Sequence, residues 1–388
     1  MLKILGITTI RSDYDLMSLL YQAMNQHDEI DLKLIVAGAH LSETYGKSIN
    51  EIESDRLDIL IKIETLIDSN SKASRIKTAS LLLQNSIDII EQYSPDLIVY
   101  AGDREDIIIG AMIGAYLEIP TAHFFGGDHV QDGHVDNLIR NAVSKLSSIH
   151  FVSNNIHKLR LEAMGENPER IFNLGSIGLD KFINHELLDK SELLKSFGID
   201  RDIEQYALVI FHPGVDEKDI SHIIIKNILI VLKSLGIFTF VSTPNTDPGN
   251  RNILSVFSEL NNDPNYYFYK NLSRDSFLSV YKNSSILIGN SSSGILEAAT
   301  IPIPVVNVGS RQKGRAQSGN VIFCGVEVEQ IKGAIRKAVS KSFISRISNI
   351  KNIYGDGKSV QRVLRKIMNL ELSDMQRKTK DPLDFINV

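Results

Sequence analysis

The stretch Ile288-Gly-Asn-Ser-Ser-Ser-Gly-Ile-Leu-Glu-Ala-Ala299 carries an apolar run into a Gly/Ser turn and then into residues that suit a helix. Strand, tight turn and helix in that order form the repeating unit of α/β folds. A helix starting in such a turn offers unpaired backbone N–H groups and the positive end of its dipole. Ser291 and Ser292 add hydroxyl donors. The pattern suits a bound diphosphate, with Glu297 placed to accept from ribose hydroxyls. A serine that merely caps the helix would give the same spacing. Neither GxGxxG nor GxxxxGK[ST] occurs, so the dinucleotide fingerprint and the P-loop are both missing.

The same unit recurs on either side. Strand-like runs occupy Lys3–Thr9, Leu32–Gly38, Leu97–Gly102, Thr121–Gly126, Ser148–Ser153 and Ile171–Gly175. A second series occupies Tyr206–Pro213, Ile237–Pro244, Tyr266–Leu272, Ser285–Ser291, Ile303–Val308 and Val321–Cys324. They are apolar on both faces, as strands buried in a parallel sheet are. Between them the spacing turns helical, with Leu16, Leu19, Leu20, Ala23 and Met24 on one face, and Ile225, Ile228, Leu229, Leu232 and Leu235 on another. The predicted fold class is α/β: two Rossmann-like domains with parallel sheets, divided near residues 176–182. The first domain spans 1–178, with 359–388 packing back on it; the second spans 179–358.

A chain of 388 residues suits two domains. A formal net charge of −5 with interspersed signs gives no footprint for nucleic acid. The single cysteine, Cys324, suits a reducing compartment. The first residues read as a buried strand rather than a signal peptide, and no run reaches the ~18 apolar residues of a membrane span. A cytoplasmic protein without membrane association is expected.

Ligands of open α/β sheets bind beyond the carboxyl ends of the strands. There this chain places Arg11–Tyr14, Gly102–Arg104, Gly126–His129, His212–Pro213, Pro244–Asn245, Gly289–Gly294 and Gly309–Gln312. Polar groups at strand ends in both halves predict a ligand site in the inter-domain cleft. Arg11, Arg104 and Arg311 suit bidentate phosphate contacts, although each equally suits a surface ion pair. The segment His123–Asp136 is dense in ionisable groups. Acid–base chemistry there would draw on Asp103, Asp128 and Asp136 as carboxylates and His123 as imidazole. Its Asp/His alternation matches no standard metal motif. A polar loop with satisfied side chains is the bland alternative.

Taken in order, several motifs resemble the hydrolysing branch of the UDP-N-acetylglucosamine 2-epimerase family. They are Arg11-Ser-Asp-Tyr14, Ala101-Gly-Asp-Arg104, His123-Phe-Phe-Gly-Gly127, Asp136 through Arg140 with Ser144-Lys-Leu-Ser147, His212-Pro213, Pro244-Asn245, Gly289-Asn-Ser-Ser-Ser-Gly294 with Glu297, and Val306-Asn-Val-Gly-Ser-Arg-Gln-Lys-Gly-Arg315. The resemblance implies a glycosyltransferase-B-like architecture. It implies nucleotide and diphosphate contacts at Arg11, Arg104, His212, Asn245, Ser291, Ser292, Glu297 and Arg311, and acidic catalytic positions at Asp103 and Asp136. The implied chemistry is elimination of UDP followed by hydration, releasing an N-acetylmannosamine-type sugar, with no metal and no redox cofactor. Self-association as a homodimer or homotetramer is implied as well.

The chain departs from the family pattern at the sugar end. Two residues after His123 the family carries Glu or His; here Phe125 stands, and a phenyl ring moves no proton. The loop Gly127–Asp136 is one residue longer and adds His129 and His134, and position 15 is Asp15. Either Asp128, His129 or Asp103 takes over the missing proton chemistry, or the reaction differs; the changed sugar end suits a modified substrate such as a UDP-2,4-diacetamido-6-deoxy hexose of legionaminic-acid routes. The competing readings are a non-hydrolysing 2-epimerase, a glycosyltransferase of the same architecture and a non-catalytic sugar-nucleotide sensor.

Overall fold

The computed structural model describes residues 1–69, 71–131, 135–183, 188–214, 216–244, 249–270 and 272–385. Two compact units divide the chain. The first comprises Met1–Asp128, Val135–Lys181 and Gly357–Val388; the second comprises His129–His134 and Phe182–Asp356.

The first unit holds β1 (Leu2–Thr8), β2 (Ile30–Ala37), β3 (Ile59–Ile63), β4 (Leu97–Ala101), β5 (Thr121–Phe124), β6 (Ile149–Val152) and β7 (Ile171–Asn173). All pair in parallel, in the order β3-β2-β1-β4-β5-β6-β7. The second unit holds β8 (Tyr206–Ile210), β9 (Phe238–Ser242), β10 (Tyr266–Tyr269), β11 (Ile286–Gly289), β12 (Val305–Val308) and β13 (Val321–Cys324). Its parallel order is β10-β9-β8-β11-β12-β13. Among the described residues, twelve of the thirteen strands coincide with the apolar runs of the sequence. The exception, β3, pairs only with β2 at the sheet edge and is mostly half-buried, so its sequence lacks the two-sided apolar signature.

Each order reverses once, between β1 and β4 and between β8 and β11. At such a switch point neighbouring helices leave on opposite faces and open a crevice at the carboxyl ends of the strands. Close packing near the first switch point requires Gly6, because a Cβ there would press on Leu34 and Tyr21.

The helix Ser359–Met368 lies on the helix Arg11–Asn25. Its Val360, Val363 and Ile367 join Tyr14, Met17, Phe124 and Ile177 in one core cluster. Each such buried side chain contributes roughly 1.5–3 kcal/mol. Asp180, itself buried, caps this helix: its two oxygens accept from Ser359 N (3.0 Å) and Val360 N (2.7 Å). No helix among the described residues is long and apolar enough to cross a membrane.

Candidate functional site

In the first unit the switch point gathers the ends of β1 and β4. Asp13, in the first turn of the helix Arg11–Asn25, folds back under the end of β1. Its Oδ2 accepts from Thr9 N (3.0 Å), Ile10 N (3.2 Å) and Thr9 Oγ1 (3.3 Å), and its Oδ1 accepts from Thr8 Oγ1. Thr8 Oγ1 also meets His40 Nε2 at 2.9 Å, and His40 Nδ1 meets Ser48 Oγ at 2.8 Å. This buried network shapes the turn that presents Arg11. The Arg11 side chain itself is 64% exposed and pairs with Glu51 at 3.0 Å.

After β4, Gly102 takes φ +97° and turns the chain into Asp103 and Arg104. Asp103 pairs with Arg140, which is only 4% exposed. Arg140 Nη1 also donates to the Asp128 carbonyl (3.1 Å) and to Asn137 Oδ1 (3.0 Å). A guanidinium fixed at three points holds the Asp103 carboxylate in one place. Arg140 sits on the helix Asp136–Leu146, one turn after Asp136. Arg104 precedes the helix Glu105–Tyr116 and lies 3.6 Å from Glu105. Glu105 is bound by Arg75 through two hydrogen bonds (2.9 and 2.5 Å), and Arg75 also senses the charges of Asp136 and Asp106.

His123 is fully buried at the end of β5. Its Nε2 lies 2.8 Å from the Gly102 carbonyl and its Nδ1 3.0 Å from Ser144 Oγ. A carbonyl only accepts, so Nε2 carries the proton and Nδ1 accepts from the serine. Burial pulls its pKa down to about 3, so the ring is neutral. With both nitrogens engaged, this imidazole ties the Gly102–Asp103 turn to the helix Asp136–Leu146.

Asp106 behaves in the opposite way. Burial first, then the neighbouring Glu105 charge, push its pKa up to about 6, against the opposing effects of Arg104 and of a hydrogen bond with Thr9. Its Oδ1 is buried without a hydrogen-bond partner. Thr9 thus stands between a fully hydrogen-bonded carboxylate, Asp13, and a poorly satisfied one, Asp106.

Phe125 follows β5 with φ +66°, a region bulky residues rarely occupy, and its ring packs against the core cluster around Tyr14 and Phe124. Asp128 lies 3.4 Å from His157 Nε2, and Arg160 Nη1 donates to the Gly127 carbonyl at 3.1 Å. Among the described residues, no three His, Cys, Asp or Glu side chains converge as metal ligands would.

In the second unit the switch point is organised by Asn290, which is fully buried. Its Oδ1 accepts from His212 N and its Nδ2 donates to the His212 carbonyl, both at 2.8 Å. Its own carbonyl accepts from Arg311 Nη1 and from Gln312 Nε2, both at 3.0 Å. Arg315 holds Gln312 Oε1 at 2.8 Å. His212, the Ser291–Ser292 turn and Arg311 are thereby drawn together. Gly289 must be glycine, because at φ +139° a side chain would collide with the Ile210 carbonyl. Glu217 reaches the end of β12, where Oε1 accepts from Ser310 N at 2.8 Å.

The helix expected after the Gly/Ser turn is present but short. Ser293–Leu296 makes a single turn and continues as the 3-10 turn Ala298–Thr300, with Glu297 at the junction. Its dipole is correspondingly small, so the turn offers individual N–H and hydroxyl donors rather than a helix field. Ser291 Oγ accepts from Ser293 N at 3.3 Å within the turn, while the N-cap residue Ser292 makes no side-chain capping bond. Asn245 and His134 lie outside the described residues.

Sequence reasoning gave no role to Arg140, Asn290 or Gln312, which lie within the quoted motifs, and none to His40 or Asp106. Arg140 and Ser144 were visible as i and i+4 with Ser144 one turn further along the face begun by Asp136. Asn290 carried no signal beyond its place in the Gly/Ser turn.

The sequence profile described as UDP-N-acetylglucosamine 2-epimerase matches residues 22–368. A Legionella pneumophila protein named UDP-N,N'-diacetylbacillosamine 2-epimerase (hydrolyzing) is 34% identical over 370 residues, covering 95% of this chain and 96% of that protein. A Campylobacter jejuni protein named GDP/UDP-N,N'-diacetylbacillosamine 2-epimerase (hydrolyzing) is 33% identical, covering 88% of each. The crystal structure of UDP-GlcNAc 2-epimerase from Neisseria meningitidis bound to UDP-GlcNAc superposes with a TM-score of 0.80 at 16% identity, covering 95% of this chain and 100% of that one. That likeness extends to the whole two-sheet fold. With its own two parallel sheets and the matched profile, this chain belongs to the UDP-N-acetylglucosamine 2-epimerase family.

Proposed function

We propose that the protein is a hydrolysing 2-epimerase of a UDP-linked 2-acetamido sugar, with a 2,4-diacetamido-6-deoxy hexose as its preferred sugar. The observation that carries the reading is Asp103, an ion-paired carboxylate at the first switch point, steadied by the buried Arg140 and by neutral His123. The names of the Legionella and Campylobacter relatives favour the diacetamido sugar. So does Phe125, which brings an apolar ring where the family pattern has Glu or His.

In this reading His212, Ser291, Ser292 and Arg311 bind the diphosphate, with Arg11 and Arg104 adding positive charge, and Asn245 and Glu297 contact the nucleoside. Asp103 takes the proton from C2 while the C1–O bond to UDP breaks, which gives a glycal. Water then adds at C1 and a proton returns to C2 from the opposite face, supplied by Asp136 or Asp128. Carbon acids are weak, so the leaving diphosphate needs preorganised cationic and N–H donors. The freed manno-configured sugar would enter nonulosonic acid synthesis. The proposal extends to a cytoplasmic homodimer or homotetramer.

The test is proton and phosphorus NMR in deuterated water with UDP-N-acetylglucosamine and with the UDP-diacetamido sugar. Released UDP together with a free manno sugar deuterated at C2 is expected, faster with the diacetamido substrate. A UDP-bound epimer would make the enzyme non-hydrolysing. Consumption of neither nucleotide would overturn the reading.

A further inference from the structure

The segment Leu372–Phe385 lies beyond the profile-matched residues and holds none of the groups described at the strand ends. It is nevertheless tied tightly to the first unit. Arg170, 7% exposed, donates through Nη1 to the carbonyls of Met375 (2.8 Å) and Ser148 (3.1 Å), and through Nη2 to those of Asp374 (3.0 Å) and Arg377 (2.5 Å). The strap backbone is captured in this way, and the Lys378 side chain is directed inward.

Lys378 Nζ donates to the Lys145 carbonyl (2.9 Å) and, at longer range, to the Ser144 carbonyl (3.4 Å), and it pairs with Glu166 at 2.5 Å. Glu166 is 1% exposed and also meets Lys145 Nζ (2.7 Å) and His150 Nε2 (3.0 Å). Burial pulls the Lys378 pKa below its ordinary value, and the Glu166 carboxylate works against that pull. The Ser144 and Lys145 carbonyls belong to the last turn of the helix Asp136–Leu146, where no intrahelical N–H remains to bond them. A cation in this position satisfies them and opposes the negative end of the helix.

That helix presents Asp136, Arg140 and Ser144 at intervals of four, on one face. Arg140 grips Asp103, and Ser144 holds His123, which in turn holds the Gly102 carbonyl. A shift of the helix along its axis would therefore move Asp103. Misplacement of a reacting group by about 1 Å costs on the order of 100-fold in rate.

We propose that Lys378 is a positioning residue for the reaction, anchoring the last turn of the helix whose other residues fix Asp103. The proposal rests on the epimerase reading above. The experiment compares wild-type protein with the full-length Lys378→Met and Lys378→Arg variants. It measures turnover of the UDP sugar, UDP affinity by calorimetry, and hydrogen exchange of peptides covering residues 136–147. In Lys378→Met we expect turnover to fall at least tenfold, UDP affinity to stay within twofold, and exchange in the last helical turn to rise. Lys378→Arg, which keeps the cation, should recover most of the turnover.

Unchanged turnover in the folded Met variant would overturn the proposal. So would a parallel loss of UDP affinity, which would mean general loosening, or unchanged exchange. The exchange comparison needs no substrate, so a wild-type protein inactive on both sugars would defeat the epimerase reading while the tie was still decided. Should the Met variant not fold, Lys378→Gln carries the same comparison, because it keeps a donor for the Lys145 carbonyl and drops the charge.

Discussion

Asp103 and Asp106 lie three residues apart and are handled in opposite ways. Asp103 is paired with a buried guanidinium, whereas Asp106 is buried with one oxygen unbonded. Asp103→Asn keeps the shape and removes the charge. It is expected to lower turnover by at least about 100-fold while UDP affinity is retained, as the general-base contribution is typically 10²–10⁴. Full activity in that variant would remove Asp103 from the reaction. For Asp106 the folded pKa of about 6 lies above the reference 3.8, so the folded state binds the extra proton between those values. Its protonated form stabilises the fold fully below about pH 4, and that stability is lost as pH rises through 6. At roughly 1.4 kcal/mol per pH unit the loss is on the order of 3 kcal/mol. Asp106→Asn should thus gain on wild type in urea unfolding between pH 4.5 and 7.5, and a pH-independent difference would refute the assignment. Neither environment was legible in the sequence. Asp103 read as a candidate catalytic carboxylate at a strand end and Asp106 drew no reading, because burial is set by what folds over each group.

At the scale of elements, the strands were legible because parallel strands are apolar on both faces, and only the half-buried edge strand β3 escaped. Helix lengths were harder. The turn after β11 was expected to open a helix, yet it makes one turn before the 3-10 segment, since small residues there suit several tight geometries. The C-terminal helix shows how one carboxylate settles an element. Asp180 satisfies two of its otherwise unbonded N–H groups from a distant part of the chain. Asp180→Ala should destabilise the first unit by about 1–2 kcal/mol in denaturant unfolding. Asp180→Asn should recover part of the loss, because its amide oxygen still accepts. An unchanged midpoint in the alanine variant would mean that packing of Val360, Val363 and Ile367 alone secures the helix.

At the scale of the whole molecule, each unit has its own sheet and its own switch point. The proposed nucleotide contacts are richest in the second unit, where Arg311 is oriented by the Asn290 carbonyl. Arg311→Ala should weaken UDP binding about 10-fold or more, the worth of a charge-assisted hydrogen bond of 1.5–3 kcal/mol. Calorimetry with UDP reads this directly, and unchanged affinity would exclude Arg311 from the diphosphate site. In the wild type, UDP at 100 times its dissociation constant should add about 2.7 kcal/mol to unfolding. The Arg311 variant should require a correspondingly higher UDP concentration for the same gain.

By itself the sequence determined the α/β class, the doubled sheet, nearly all strands and the ordered motifs of the family. These follow from period and composition, which are local properties of the chain. Only the tertiary structure decided what the polar groups do. It made His123 a neutral strut, gave Asp103 its buried arginine, left Asp106 short of partners, and set Asn290 at the centre of the second switch point. Those roles depend on which groups from distant segments meet inside a low-dielectric interior, where an unmatched charge or hydrogen bond carries the largest cost.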